Sequence, residues 1–370
     1  MNNINDKEQD YFHQLNIKKI KELPTFVRQF FLEKHYSVNT EYQYITELIR
    51  FFNWLINNNL TKANNTQNVS INDLAKLKTL DINIYIDYLL NFTNRQLHHD
   101  TSTTINRSIN VLRSLFKYLI LINDSNGKPY LNNNIMRKIP CLRHSETLNL
   151  RSKKIEKQMY LGHLKFDLIH FIENDYHNYC SPRALSSYQI NKERDLAIIA
   201  ILFGTGARRS EIANLNIDDI NFKTHDVSFL RKGGMQDIVP FSSWIVPYLK
   251  NYLAVRKIKY DIKDDNIKPL FISKVRGKLH RLTAVQINNI VKRYTTLFGR
   301  PSTAHKFRHT TASELFHREK DIMLVAQQLG QNTTSATSLY THVNRSQQQK
   351  AMDELGNGYQ NELGEDQKND

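Results

Sequence analysis

A chain of 370 residues is long enough for two domains that each bury a core of their own. Its 51 lysines and arginines against 36 acids set a formal charge of +15, and since residues 351–370 hold six acids against Lys368 alone, residues 1–350 carry +20; this favours a polyanionic partner, with a plain solvated basic surface as the alternative. Two cysteines, Cys141 and Cys180, at no metal-binding spacing exclude a disulfide scaffold, and the lack of an apolar run of about 18 residues excludes a membrane-spanning helix, so a cytoplasmic protein is expected.

Residues 1–23 read as a polar lead-in, frayed or at most a short helix. From Pro24 the pattern turns helical: PTFVRQFFLEKH, then NTEYQYITELIRFFNWLINNN, with Asn39 or Thr40 as cap and Tyr44, Leu48, Phe51, Phe52 and Leu55 on one stripe. A third helix is expected from about Leu80. In the fourth, TTINRSINVLRSLFKYLILIND, Ile105, Ile109, Leu112, Leu115, Phe116 and Leu119 recur at helical spacing. Four helices over 24–123 predict a small bundle whose stripes form its core. On the polar faces, Thr40, Tyr42, Gln43, Thr103, Thr104, Asn106, Arg107 and Arg113 have the chemistry to bind phosphates and read base edges, or simply to face water.

Residues 124–165, with NDSNGKPY, IPCLRHSE and the basic RSKKIEK, are poor formers of regular structure and read as an interdomain linker lying along a polyanion. A second domain is expected over 166–356, followed by an acidic tail, 357–370. Within it, NKERDLAIIAILFGTGARRSEIANL predicts two helices separated by Gly204 and Gly206. Arg208 opens the second, with Glu211 three residues on to hold its guanidinium. DVSFLRKGGMQDIVPF is a hairpin with Lys232 at its tip, PLFIS (269–273) is a candidate third strand, and TAVQINNIVKRYTTLF is a further helix. The fold class expected is therefore mainly α with a small antiparallel β-sheet.

The stretch 301–342 predicts three short helices. Ser302 or Thr303 caps the first, and the spacing of His305 and Arg308 puts both on one face near the positive end of its dipole, where a phosphate is well placed. Asp321 caps the second, and Gly330 ends it, handing out Gln331. Thr333 or Thr334 opens the third, with Tyr340 near its end.

HKFRH, then LGQ, then LYTHV, preceded by GARRSE and LRKGG, resembles the ordered signature of the tyrosine recombinases, the integrase and Xer family, and the likeness extends from about Pro24 to Leu355. RALSSYQINKERDLAIIAILFGTG and the RKGG hairpin look closest to the single-recombinase Xer subgroup of streptococci and lactococci. The resemblance implies an N-terminal four-helix core-binding (SAM-like) domain and a C-terminal mixed α/β catalytic domain. It also implies a homotetramer on two DNA duplexes, acting on a chromosomal dif-like site and activated by the FtsK DNA translocase. Matched box by box, it assigns Arg208, Lys232, His305, Arg308 and the nucleophile Tyr340 to catalysis, with Glu211 behind Arg208. Gln331 stands where the family usually has histidine.

The chemistry asks for these residue types. Reversible strand cutting without a cofactor requires a nucleophile that stores the phosphodiester as a covalent ester, here Tyr340. His305 is the candidate base for its phenol, and Arg208 and Arg308 are forks for the non-bridging oxygens of the phosphorane. Lys232 can protonate the departing 5′-oxygen, while Gln331 keeps a donor for a phosphate oxygen without carrying charge. A type IB topoisomerase, an integrase or resolvase of a mobile element, and a DNA-binding accessory protein without catalysis are the other readings; trapping a covalent adduct separates the last from the enzymes.

Overall fold

A computed structural model describes residues 4–96, 101–123, 127–142, 148–231, 234–264 and 266–331, which divide into two units, Met1–Ser145 and Glu146–Asp370.

The first unit is helical. It comprises α1 (Ile4–Lys19), α2 (Thr25–Lys34), α3 (Val38–Asn57), α4 (Ile71–Lys76), α5 (Thr79–Gln96) and α6 (Thr101–Leu119). The four expected helices are α2, α3, α5 and α6, and Leu48, Phe51, Phe52, Leu55, Ile105, Ile109, Leu112, Leu115 and Phe116 are buried as their stripes require. Three local readings need correction. The lead-in is a full helix, docked on α3 by Asn16, whose amide donates to the Val38 carbonyl at 2.9 Å, and by Phe12 against the Tyr42 ring. Tyr42 is thereby partly covered. Helix α3 starts at Val38, with Ser37 at its N-cap, so Asn39 and Thr40 lie inside its first turn, the Ser37 and Thr40 hydroxyls 2.9 Å apart. Helix α4, not anticipated, rests on a reciprocal cap between Ser70 and Asp73.

The stretch 124–165 is shared between the units. Leu131, Met136 and Ile139 are buried in the first core, and Met159 and Tyr160 are buried in the second unit. This return of the chain gives two polar residues on α6 partners within the unit. Asn106 brackets Leu142, donating to its carbonyl at 2.9 Å and accepting its N–H at 2.7 Å. Arg113, expected to read DNA, donates to Asn110, to the Cys141 sulfur and to the Ile139 carbonyl, so its fork fastens 139–142 to the bundle. Spacing along α6 could not reveal this, because the partner lies about thirty residues downstream. Gln43 and Arg107 are exposed, and Thr40 and Thr104 half-buried.

The second unit carries α7 (Leu148–Glu156), α8 (Leu164–His170), which passes through a π turn (Phe171–Asp175) into α9 (Tyr176–Tyr179), and α10 (Pro182–Thr205). Helix α10 starts well before Asn191, because Ser181 accepts the Ala184 N–H and Pro182 opens the first turn. It also runs through Gly204. A Cβ there would stand 2.4 Å from Cγ2 of Ile245, so the glycine serves close packing while Gly206, at φ 68°, ends the helix. There follow α11 (Arg209–Asn214), α12 (Val246–Lys259), α13 (Ala284–Leu297), α14 (Ala304–Glu319) and α15 (Ile322–Leu329).

Strands β1 (Ile220–Asn221), β2 (Asp226–Leu230) and β3 (Gln236–Pro240) form one antiparallel sheet in that order, with Val227 opposite Val239 and Leu230 opposite Gln236. The third strand is thus β1. The expected PLFIS strand instead enters a separate hairpin, β4 (Ile272–Val275) with β5 (Lys278–Arg281), closed by Arg276 and Gly277 at φ 49° and 76°. Two successive positive φ values are what a tight two-residue hairpin demands. Buried Asp195 of α10 accepts from Arg194, Arg293 and Tyr294, tying α10 to α13 and so fixing the base from which α14 departs.

Candidate active site

Three chain segments of the second unit deliver the expected side chains: the α10–α11 corner, the start of α14 and the end of α15. At the corner, Gly206 turns the chain and Arg208 becomes the N-cap of α11. Glu211 accepts the Arg208 backbone N–H at 2.7 Å through one carboxylate oxygen and its Nη1 at 2.7 Å through the other. Glu211 is buried while the Arg208 side chain is 38% exposed, so the acid steadies a fork whose face remains open to solvent.

In α14, Thr303 occupies the N-cap but its hydroxyl makes no capping bond. The Ala304 N–H is taken by Asn288 Oδ1 at 3.2 Å, while Ser302 is buried against Thr295 and Gln158. The expected side-chain cap is therefore supplied from α13. Arg308 is buried, and its fork reaches both other segments: Nη1 donates to the Gly206 carbonyl at 3.0 Å and Nη2 to the Leu329 carbonyl at 2.7 Å. His305, one turn earlier, is exposed. Its basicity is lowered by desolvation first, and then by the cations of Arg308, Lys306, Arg208 and Arg209, so the neutral ring is favoured. The buried ring of His309 stands edge-on to His305, with centroids 4.5 Å apart, and its own pKa is pushed down to about 3 by burial first and then by His305, Lys306 and Arg308.

Helix α15 begins as expected, with Asp321 accepting the Met323 and Leu324 N–H groups at 2.7 and 3.2 Å. It ends in a Schellman turn: Gly330 at φ 57° donates to Gln327, and Gln331 donates to Ala326, both at 2.9 Å. Gln331 is half-buried and lines a groove of about 880 Å³ together with Phe203, Trp244, Glu314 and Gln328. The geometry thus joins Arg208, Glu211, His305, Arg308 and Gln331 through Arg308 and the two turns it holds. Lys232, on the β2–β3 connection, and Tyr340 lie outside the described residues.

Arg231 was not anticipated. Its signal lay in the period of β2, since Val227 and Phe229 are buried and the next inward position is this arginine. Buried itself, it donates to Asp237 at 2.9 Å and Glu211 at 3.0 Å, and contacts the Phe229 ring.

The chain matches the phage integrase family over residues 178–347. It is 38% identical over 355 residues to tyrosine recombinase XerS of Streptococcus thermophilus (strain CNRZ 1066), across 92% of this chain and 99% of that protein. With the XerS of Streptococcus mutans it shares 37% over 349 residues, across 92% and 98%. Among solved structures it resembles the XerH site-specific recombinase bound to palindromic difH substrate in a post-cleavage complex, with a TM-score of 0.58 and 22% identity over 85% of this chain and 78% of that one. A lambda integrase (75–356) dimer bound to a COC′ core site gives a TM-score of 0.54 at 13% identity, over 85% and 94%.

Proposed function

Because this chain belongs to the phage integrase family and is a tyrosine recombinase that breaks and rejoins DNA at specific sites, we propose that it resolves chromosome dimers at a dif-like site before cell division. Its proposed assembly is a homotetramer on two DNA duplexes, activated by the FtsK translocase, in the cytoplasm. The observation that carries the catalytic assignment is the meeting of Arg208, His305, Arg308 and Gln331 around two chain turns that a single buried guanidinium, that of Arg308, holds together.

In the proposed reaction the Tyr340 phenol oxygen attacks the scissile phosphorus, and the bond from phosphorus to the 5′-oxygen breaks. A 3′-phosphotyrosyl ester and a 5′-hydroxyl result. The phenolic proton passes to His305, and a proton from Lys232 meets the departing oxygen. Arg208 and Arg308 stabilise the charge gathered on the non-bridging oxygens, with the Gln331 amide as a further donor. Return of a 5′-hydroxyl from the partner duplex reverses each transfer and completes the exchange. Thr40, Gln43, Thr104 and Arg107 are assigned to DNA reading and phosphate contact by the first unit.

A nicked suicide duplex tests the assignment. The parent should accumulate a covalent adduct whose modified peptide contains Tyr340, and Tyr340→Phe should bind the same duplex with little change yet form none. An adduct from the phenylalanine protein would sink the nucleophile. Sequencing DNA trapped in the host separates a chromosomal dif-like site from the end of a mobile element.

A further inference from the structure

The last four carbonyls of a helix find no partner within it, and in α15 all four are accounted for. Ala326 and Gln327 accept from the Schellman turn. Gln328 accepts from Arg231 Nη2 at 3.3 Å, and Leu329 from Arg231 Nη1 at 3.3 Å and Arg308 Nη2 at 2.7 Å. The same Arg231 Nη1 donates to Glu211 Oε2, and Nε to Asp237. Its guanidinium lies against the open face of Gly330: a Cβ there would stand 2.5 Å from Nε and 2.6 Å from Cζ.

We propose that Arg231 is a positioning residue for phosphate stabilisation, binding Glu211 and the C-terminal carbonyls of α15 at once so that Arg208 and Gln331 are held in register. This rests on the catalytic reading above. Glu211 has two cationic partners on one carboxylate, Arg208 and Arg231. Without Arg231 the buried acid keeps only the half-exposed Arg208 fork and draws it inward, away from a phosphate. The Gln328 carbonyl then loses the Arg231 donor, and the end of α15 that presents Gln331 keeps Arg308 on the Leu329 carbonyl and the Gln328 amide on the Thr205 and Pro240 carbonyls, with no link to Glu211 through Arg231. Lysine in place of Arg231 keeps the charge but cannot span two carboxylates and two carbonyls with one ammonium. Arg231 is 7% exposed, so its effect on DNA binding should be small.

A charge-neutral linkage distinguishes this role from a general contribution to folding. Methylphosphonate at the scissile position removes the negative oxygen that the Arg208 fork must neutralise. A positioning defect should therefore matter less there, whereas a folding defect slows both linkages alike. Full-length parent, Arg231→Ala, Arg231→Lys and Tyr340→Phe are compared in single-turnover cleavage of nicked duplexes carrying either linkage. Arg231→Ala should cleave the phosphate about 10- to 100-fold more slowly than the parent, stay within about threefold on methylphosphonate, and bind DNA within about threefold. Arg231→Lys should fall between with the same selectivity, and it decides the matter if the alanine protein does not fold. Equal slowing on both linkages, or a phosphate rate within about threefold of the parent, overturns the proposal. If instead the parent forms no adduct, or Tyr340→Phe does form one, the catalytic reading itself fails and the role of Arg231 falls with it.

Discussion

Gln331 is where residue chemistry departs furthest from the family pattern. Loss of one donor to a transition-state oxygen slows an enzyme by about 10²–10³, so Gln331→Ala should slow single-turnover cleavage by about that factor if the amide serves the phosphate. A rate within about threefold of the parent would remove Gln331 from the site. Gln331→His should be neutral or faster, with any gain larger below about pH 6.5, where imidazole carries charge. His305 has the opposite dependence. Desolvation and the surrounding cations hold it below the usual histidine range, which favours the neutral ring that the proposed base requires. Cleavage by the parent should stay level from about pH 8 to about 6.5 and decline only at lower pH, as the ring takes up a proton. A decline already complete at about pH 7 would mean that a different group acts as the base.

Helix ends, more than helix centres, position the groups proposed to react. Arg208 is an N-cap, His305 lies in a first turn, and Gln331 follows a Schellman turn. The cost of losing such an end can be bounded for α15, whose cap Asp321 accepts two backbone N–H groups. Asp321→Ala should lower the unfolding free energy of the second unit by about 1 kcal/mol, read as a shifted urea midpoint with unchanged slope. No shift would mean that packing of Val325 and Leu329 alone holds the helix.

For the whole chain, the +20 on residues 1–350 makes phosphate contacts the expected main source of affinity. Specific binding should therefore weaken steeply with salt. The first unit should supply part of the sequence reading through α3 and α6, so a protein of residues 150–370 should bind its site more weakly and with a shallower salt slope than the full chain. Equal affinity and specificity would confine recognition to the second unit.

Periodicity in the chain was enough to find α2, α3, α5 and α6 and their buried stripes, and short-range chemistry was enough for the Asp321 cap, the Gly330 turn and the hold of Glu211 on Arg208. Each of these is set within a few residues, by helical spacing or by a backbone that only glycine adopts easily. The failures share another cause. Helix α1 has a weak apolar pattern and was legible only by its packing on α3; Arg113 met its partners about thirty residues away; the third strand of the sheet was chosen by register between segments. Arg231 drew no reading from the sequence, and folding buries it between Glu211 and the end of α15, segments 20 and 98 residues away along the chain. Which buried charge meets which carboxylate depends on desolvation and contact in three dimensions, and neither has a period in the sequence.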